Sequence, residues 1–198
     1  MGVARSSLRG ETVCGDLEVI GERAGGVLVG VVDGIGHGDE AHAVAERAVH
    51  TVLAARGQSV IAIVRRCHQE LLGSRGVVMS LASLSVADDT MTWIAVGNVT
   101  VLLLRADSGA VPRTEGIVTR GGIVGSRLPL LHASVTCVSP GDVLVFATDG
   151  IRAGFVAQVN TVQSPQHLAD RILAQYGRDN DDSLVLVARY RGTTPREG

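Results

Sequence analysis

Apolar positions along this chain fall mostly into short continuous runs or strict alternation, and shift to a helical period in three places. Val27, Leu28, Val29, Val31 and Val32 form a nearly unbroken, largely β-branched run. Such a run predicts a strand covered on both faces. It ends at Asp33 in the turn DGIGHG, Asp33 to Gly38, where glycines permit tight backbone geometry. After Gly38 the period changes: Ala41, Val44, Ala45, Ala48, Val49, Val52 and Leu53 make one helical stripe, with Asp39 as the expected N-cap. A second helix is expected after Ser59, with Ile61, Val64, Cys67, His68, Leu71 and Leu72 facing inward until Gly73. A third is expected after Ser164-Pro165, through Leu168, Ile172, Leu173 and Tyr176 to Gly177.

The remaining pattern is β. Thr12 to Ile20 predicts a first strand, and Gly21 to Gly25 a hairpin connection into the Val27 run. Gly76 to Leu104 alternates β-rich runs with turn signals and predicts an antiparallel meander. Gly116 to Pro129 has no sustained period and reads as loop with short strand pieces. Val135 to Val138 and Val143 to Thr148 flank the turn SPGD and predict a hairpin, and Ser183 to Tyr190 a closing strand. Strands interrupted by a helix pair, then more strands and one more helix, depart from βαβ alternation. They predict an α+β fold.

Aspartates punctuate these strands. Asp33 ends the Val27 run, Asp149 ends VLVFATDG, Asp181 and Asp182 directly precede SLVLVARY, and Asp16 stands in CGDLEVI. Asp33-Gly34 alone is a strand followed by an Asp-Gly turn. The recurrence of aspartate at four strand ends predicts that the strands lie side by side and that the carboxylates converge. A self-repelling cluster of that kind is most simply explained by hard divalent cations, with a main-chain oxygen such as that of Gly34 as a further ligand.

Composition narrows the alternatives. The 198 residues fit one domain, expected to span 1–198 with an ordered core from about 10 to 190, and 45% apolar residues support a substantial core. A short polar tail after Gly192 is expected to be disordered. A net charge of −2 provides no footprint for nucleic acid. Three widely spaced cysteines suggest neither a disulfide framework nor a zinc site, and point to a reducing cytoplasm. No apolar run reaches the roughly 18 residues of a membrane span. All 18 basic residues are arginine, which excludes P-loop, protein-kinase and Schiff-base chemistry, each of which needs lysine. His42, His50, His68 and His132 lack zinc spacing and read as surface or satisfied histidines, and Cys14 as a small buried residue. Asp179-Asn180-Asp181 is not a calcium loop, because Leu184 stands where that loop needs glycine.

In order, VCGD, VVDGIGHG, ATDG and DDSLVLV resemble the motif set of the metal-dependent protein phosphatase (PPM, protein phosphatase 2C-like) family over residues 10–190. GNV at Asn98 and GGIVG at Gly121 to Gly125 are similar to lesser motifs of its bacterial stress and sporulation branch, with its stressosome phosphatases. The resemblance implies a four-layer αββα sandwich, two antiparallel β-sheets flanked by helices. It implies a phosphoserine/phosphothreonine phosphatase using two Mn²⁺ or Mg²⁺ ions and no protein nucleophile. Asp33 would bridge both ions, the Gly34 carbonyl would ligate one, Asp149 and Asp181 would hold the other, and Asp16 would act on the first through water. Asp33, Asp149 and Asp181 would be the catalytic set. The implied partners are phosphorylated STAS-domain proteins of a cytoplasmic stress-signalling complex, or an anti-sigma-factor antagonist of the same type. A catalytically weak metal-binding relative is the rival.

The chain departs from the family pattern at several positions. Ile35 stands directly after the DG pair, where many members carry histidine, and His37 lies two residues further, so the resemblance assigns no general acid. The phosphate-binding arginine has no aligned counterpart, and Arg9 lies near at a different spacing as the candidate. Gly15 occupies the place of an acidic residue that often precedes the first aspartate, and Asp182 adjoins Asp181 as a competing ligand.

Overall fold

A computed structural model of the chain describes residues 1–192, and the tail expected to be disordered lies outside them. The elements run β1 (Gly2–Ser6), β2 (Asp16–Arg23), β3 (Gly26–Gly34), α1 (Gly38–Ala54), α2 (Val60–Glu70), β4 (Val77–Ser85), β5 (Thr90–Val96), β6 (Thr100–Leu104), β7 (Thr114–Gly116), β8 (Ala133–Cys137), β9 (Val143–Ala147), a 3-10 turn (Ala153–Gln158), α3 (Pro165–Tyr176) and β10 (Ser183–Arg189). They form two five-stranded sheets, ordered β2-β3-β4-β5-β8 and β1-β10-β9-β6-β7. All strand pairs in both sheets are antiparallel.

Three apolar layers bind four structural layers. α1 and α2 bury Ala45, Ala48, Val52, Ile63 and Val64 against Val19, Leu28, Val32 and Leu81 of the first sheet. Between the sheets lie Val29, Val31, Met91, Leu103, Leu144, Phe146, Leu184 and Leu186. α3 packs Leu168, Ala169 and Ile172 on Val145, Val185 and Val187 of the second sheet. Burial on both faces explains the continuous apolar runs: all five residues of β9 are buried. The architecture is therefore the αββα sandwich of two antiparallel sheets between helices.

The helix caps follow the sequence in two cases. The Ser59 hydroxyl accepts from Ala62 N, and the Ser164 hydroxyl from His167 N with Pro165 in the first turn. In α1 the structure differs. Its N-cap is His37, while Asp39 lies inside the first turn beside Glu40, where both charges meet the positive end of the helix dipole.

Sheet membership also departs from the local pattern. β4 and β5 pair, but β6 crosses to the second sheet, so Gly76 to Leu104 is not one meander. β8 and β9 likewise sit in different sheets, not in a hairpin. The crossing at SPGD is held by buried Asp142, whose carboxylate accepts from Ser139 N and Ala106 N and pairs with Arg105. β2 begins at Asp16, and an edge strand at Gly2–Ser6, not expected from the sequence, pairs with β10.

Candidate active site

The aspartates meet at one end of the gap between the sheets. In the first sheet Asp16 opens β2 and Asp33 lies near the end of β3, directly opposite each other in register. In the second sheet β9 and β10 are antiparallel neighbours, so Asp149, just beyond β9, and Asp181, just before β10, emerge on the same side. Thr148 stitches this end: its amide donates to Leu184 O at 3.1 Å and its hydroxyl accepts from Leu184 N at 2.9 Å.

Gly34 is pinned just beyond Asp33. Its amide donates to Gly15 O at 3.1 Å, and the Ile35 amide donates to Gly76 O at 3.1 Å. A Cβ on Gly34 would lie 2.3 Å from Ala41 O, so only glycine lets α1 pack this closely on the strand end.

Asp33, Asp149 and Asp181 line a cleft of about 480 Å³ together with Ile35, Gly36, His37, Val78, Gly97, Asn98, Gly121 and Gly122. Asp16, the register partner of Asp33, is not part of this lining: it is buried, 2% exposed, and its Oδ2 has no hydrogen-bond partner. The two adjacent aspartates have separate tasks. Asp182 is buried, with Oδ1 accepting from Leu8 N and Oδ2 from Gly15 N, both at 2.8 Å. Its charge is spent on the backbone, while Asp181 faces the cleft. Gly15 fits the same arrangement, since a Cβ there would come within 2.9 Å of Asp182 Oδ2.

Crowded, buried carboxylates hold protons tightly. Burial, reinforced by the charges of Asp16, Asp149, Asp181 and Asp182, pushes Asp33 up to about 9. Burial, opposed by the Thr148 hydroxyl and reinforced by Asp182, Asp149 and Asp181, raises Asp16 to about 7. Asp181 is also raised, by burial and then by Asp149. Among the described residues, no three His, Cys, Asp or Glu side chains form a ready-made cage for one ion. The site is an open, carboxylate-lined cleft. An orphaned buried Asp16 oxygen and a cluster of acids that resist ionisation together are the donor set that hard divalent cations satisfy, with water completing the shell.

Arg9 stands outside this cleft. It is exposed beside the Asp181 turn, its amide donating to Asp179 O. Three residues at the site went unassigned in the sequence. Asn98 Nδ2 donates to Asp149 Oδ2 at 2.7 Å. The Arg75 guanidinium lies over the DGIGHG turn, where a Cβ on Gly36 would be 2.8 Å from its Nη1, and pairs with Glu40. Glu11 meets His37. The GNV motif pointed to Asn98, whereas no sequence spacing connects Glu11 with His37.

The remaining candidates are structural. His42 Nδ1 lies 2.7 Å from Cys14 O, and His68 Nδ1 accepts from Gly125 N at 3.0 Å. Burial pushes the Cys14 thiol up to about 12, which leaves it unreactive.

Residues 23–191 match the family model described as Stage II sporulation protein E (SpoIIE). No curated protein matches the chain. Among solved structures, one from work on the bacterial stressosome as a modular system adapted to control secondary messenger signalling is 30% identical. Its TM-score is 0.86, with 95% of this chain and 97% of that chain covered. RsbX in complex with magnesium is similar at TM-score 0.83 and 20% identity, over 93% and 92%. The PP2C phosphatase domain of SpoIIE from Bacillus subtilis with a fragment of its regulatory domain is similar at TM-score 0.77 and 19% identity, over 96% of this chain and 62% of that one.

Proposed function

The chain belongs to the SpoIIE family, as a phosphatase domain of the protein phosphatase 2C type, and on that premise we propose that it dephosphorylates serine and threonine on STAS-domain proteins of a cytoplasmic stress-signalling complex. The observation that carries the reading is the meeting of Asp16 and Asp33 from one sheet with Asp149 and Asp181 from the other. The similarity to RsbX and to a stressosome-related structure supports the choice of substrate.

Asp33, the Gly34 carbonyl, Asp149 and Asp181 would hold two Mn²⁺ or Mg²⁺ ions, with Asp16 acting through water. Bound there, the ions would supply a water acidified toward neutral pH and polarise the phosphoryl oxygens for in-line attack. The protein's own contribution is placement. Asn98 holds Asp149 by its Oδ2, so that Asp149 keeps one orientation. Asp182 ties the Leu8 and Gly15 amides to the base of the site and so fixes the approach to Asp16. Arg75, beside Gly36 of the cleft lining and paired with Glu40, joins Arg9 as a candidate cation for substrate phosphate. Gly121 and Gly122 leave one rim of the cleft without side chains, which admits a folded phosphoprotein.

The test compares phosphoserine on a folded STAS domain with an unfolded peptide carrying the same site, with Mn²⁺ present. The expected result is a kcat/KM at least tenfold higher for the folded domain. Equal values would remove the protein-surface component, and stoichiometric binding without turnover would select the metal-binding rival.

A further inference from the structure

We propose that Glu11 and His37 form a proton-donating dyad on the rim of the aspartate cleft. His37 protonates the seryl or threonyl oxygen as it leaves phosphorus, and Glu11 is its positioning residue. The inference rests on the phosphatase reading and deepens it by naming the group that the sequence left unassigned.

The local structure frees His37 for this task. It occupies the N-cap of α1 in extended geometry, φ −147° and ψ 170°, yet its side chain makes no capping hydrogen bond. An N-cap is ordinarily Ser, Thr, Asp or Asn because the side chain accepts from the first helical amides. Here the ring turns away and Nδ1 lies 2.7 Å from Glu11 Oε1. The carboxylate comes from the loop before β2, on the far side of the DGIGHG turn. A Cβ on Gly38 would lie 2.9 Å from Glu11 Oε2, so the glycine at that position leaves room for the carboxylate. Ile35, the residue directly after Asp33-Gly34, packs instead against the apolar layer between the sheets and carries no proton.

A carboxylate at Nδ1 fixes that nitrogen as the hydrogen-bearing one. Nε2 remains as the working position, and the ring lines the cleft with Asp33, Asn98, Asp149 and Asp181. A base oriented by a carboxylate, within a cleft that gathers the other reactive groups, meets the geometric conditions for acid–base work. The charged groups facing this region are Glu11 from the first loop, Asp33 from the end of β3, Asp149 and Asp181 from the second sheet, and the Arg75–Glu40 pair above the turn.

The step balances. A water oxygen forms a bond to phosphorus while the bond from phosphorus to the seryl oxygen breaks, and that electron pair passes to the seryl oxygen. The proton on His37 Nε2 moves to it and the alcohol departs. Neutral His37 then takes up the equivalent of the proton released by the attacking water.

The test compares wild type, His37→Gln and Glu11→Gln on a phosphoserine peptide, whose alkoxide needs a proton to leave, and on p-nitrophenyl phosphate, whose phenolate does not. For His37→Gln, kcat on phosphoserine is expected to fall about 10²-fold or more, at least tenfold further than kcat on p-nitrophenyl phosphate. Glu11→Gln is expected to show the same selectivity at smaller amplitude, with KM little changed. A separate readout in the metal-free protein is the ¹⁵N spectrum of the imidazole. It is expected to show hydrogen on Nδ1 in wild type and a tautomer mixture in Glu11→Gln. Equal losses on both substrates, no loss on either, or hydrogen on Nε2 rather than Nδ1 of the neutral wild-type imidazole would overturn the dyad alone. A wild type inactive on both substrates with Mn²⁺ would overturn the phosphatase reading and the dyad with it.

Discussion

Asp16 and Asp33 are register partners across the antiparallel pair β2–β3, so two carboxylates from one sheet stand on neighbouring strands with their Cα atoms directly opposed. Like charges so placed are destabilising. Burial adds to the cost, and the second sheet adds Asp149 and Asp181 across the gap. Asp33→Asn should therefore remove activity by at least about 10³-fold, since bridging cations needs a charged carboxylate. It should also leave the metal-free fold as stable as wild type or more so. Turnover at saturating Mn²⁺ and thermal unfolding in chelator check the two parts. Asp149→Asn should lose activity likewise.

The same crowding sets a pH dependence. Asp33 and Asp16 are raised from 3.8 to about 9 and about 7 in the folded chain, so the native state binds protons more tightly than the unfolded one. Their contribution is fully present below pH 3.8 and is lost as pH rises through 7 and then 9. The Tm of chelator-treated protein should fall between about pH 5 and pH 9, and Mn²⁺ should reverse the fall by binding the ionised native state. A Tm that rises over this interval in chelator would contradict the assigned crowding.

Asp181 and Asp182 separate by experiment. Asp182→Ala leaves the Leu8 and Gly15 amides without their acceptors and should destabilise the fold by about 2 kcal/mol or more. Asp181→Asn should keep its stability and lose affinity for Mn²⁺. Urea unfolding and metal titration of the two variants distinguish these outcomes, and reversed results would exchange the assignments.

Much of this site was legible because a strand buried on both faces must be a continuous apolar run, and an aspartate at its end interrupts that run visibly. β3, β9 and β10 stand out for that reason. Sheet membership was not legible: nothing local in Thr100–Leu104 or Ala133–Cys137 states which sheet accepts the strand, and both crossings were misread as hairpin continuations. β1 was missed because Gly2–Ser6 offers only two buried positions, Gly2 and Ala4, to the pattern. Asp182 stayed a competitor of Asp181 because adjacency in sequence conceals that alternate residues point opposite ways at a strand entry. Glu11 and His37 are 26 positions apart, and only the folded turn brings them together.

Asn98 provides the last prediction. Its amide nitrogen donates to Asp149 Oδ2 at 2.7 Å from the turn between β5 and β6, so the bond links the two sheets across the mouth of the cleft. A carboxylate that would ligate a cation works best when its second contact fixes its orientation. Asn98→Ala removes that contact at an exposed position, so the fold should be retained within about 0.5 kcal/mol. Mn²⁺ affinity should fall by about 10–100-fold. Activity should return at high Mn²⁺, because the ligand itself remains. Asn98→Asp should be worse than alanine, since it adds a negative charge facing Asp149 with no proton to donate. Metal titrations of the three proteins decide the point: equal affinity in wild type and Asn98→Ala would show that Asp149 needs no partner to hold its place.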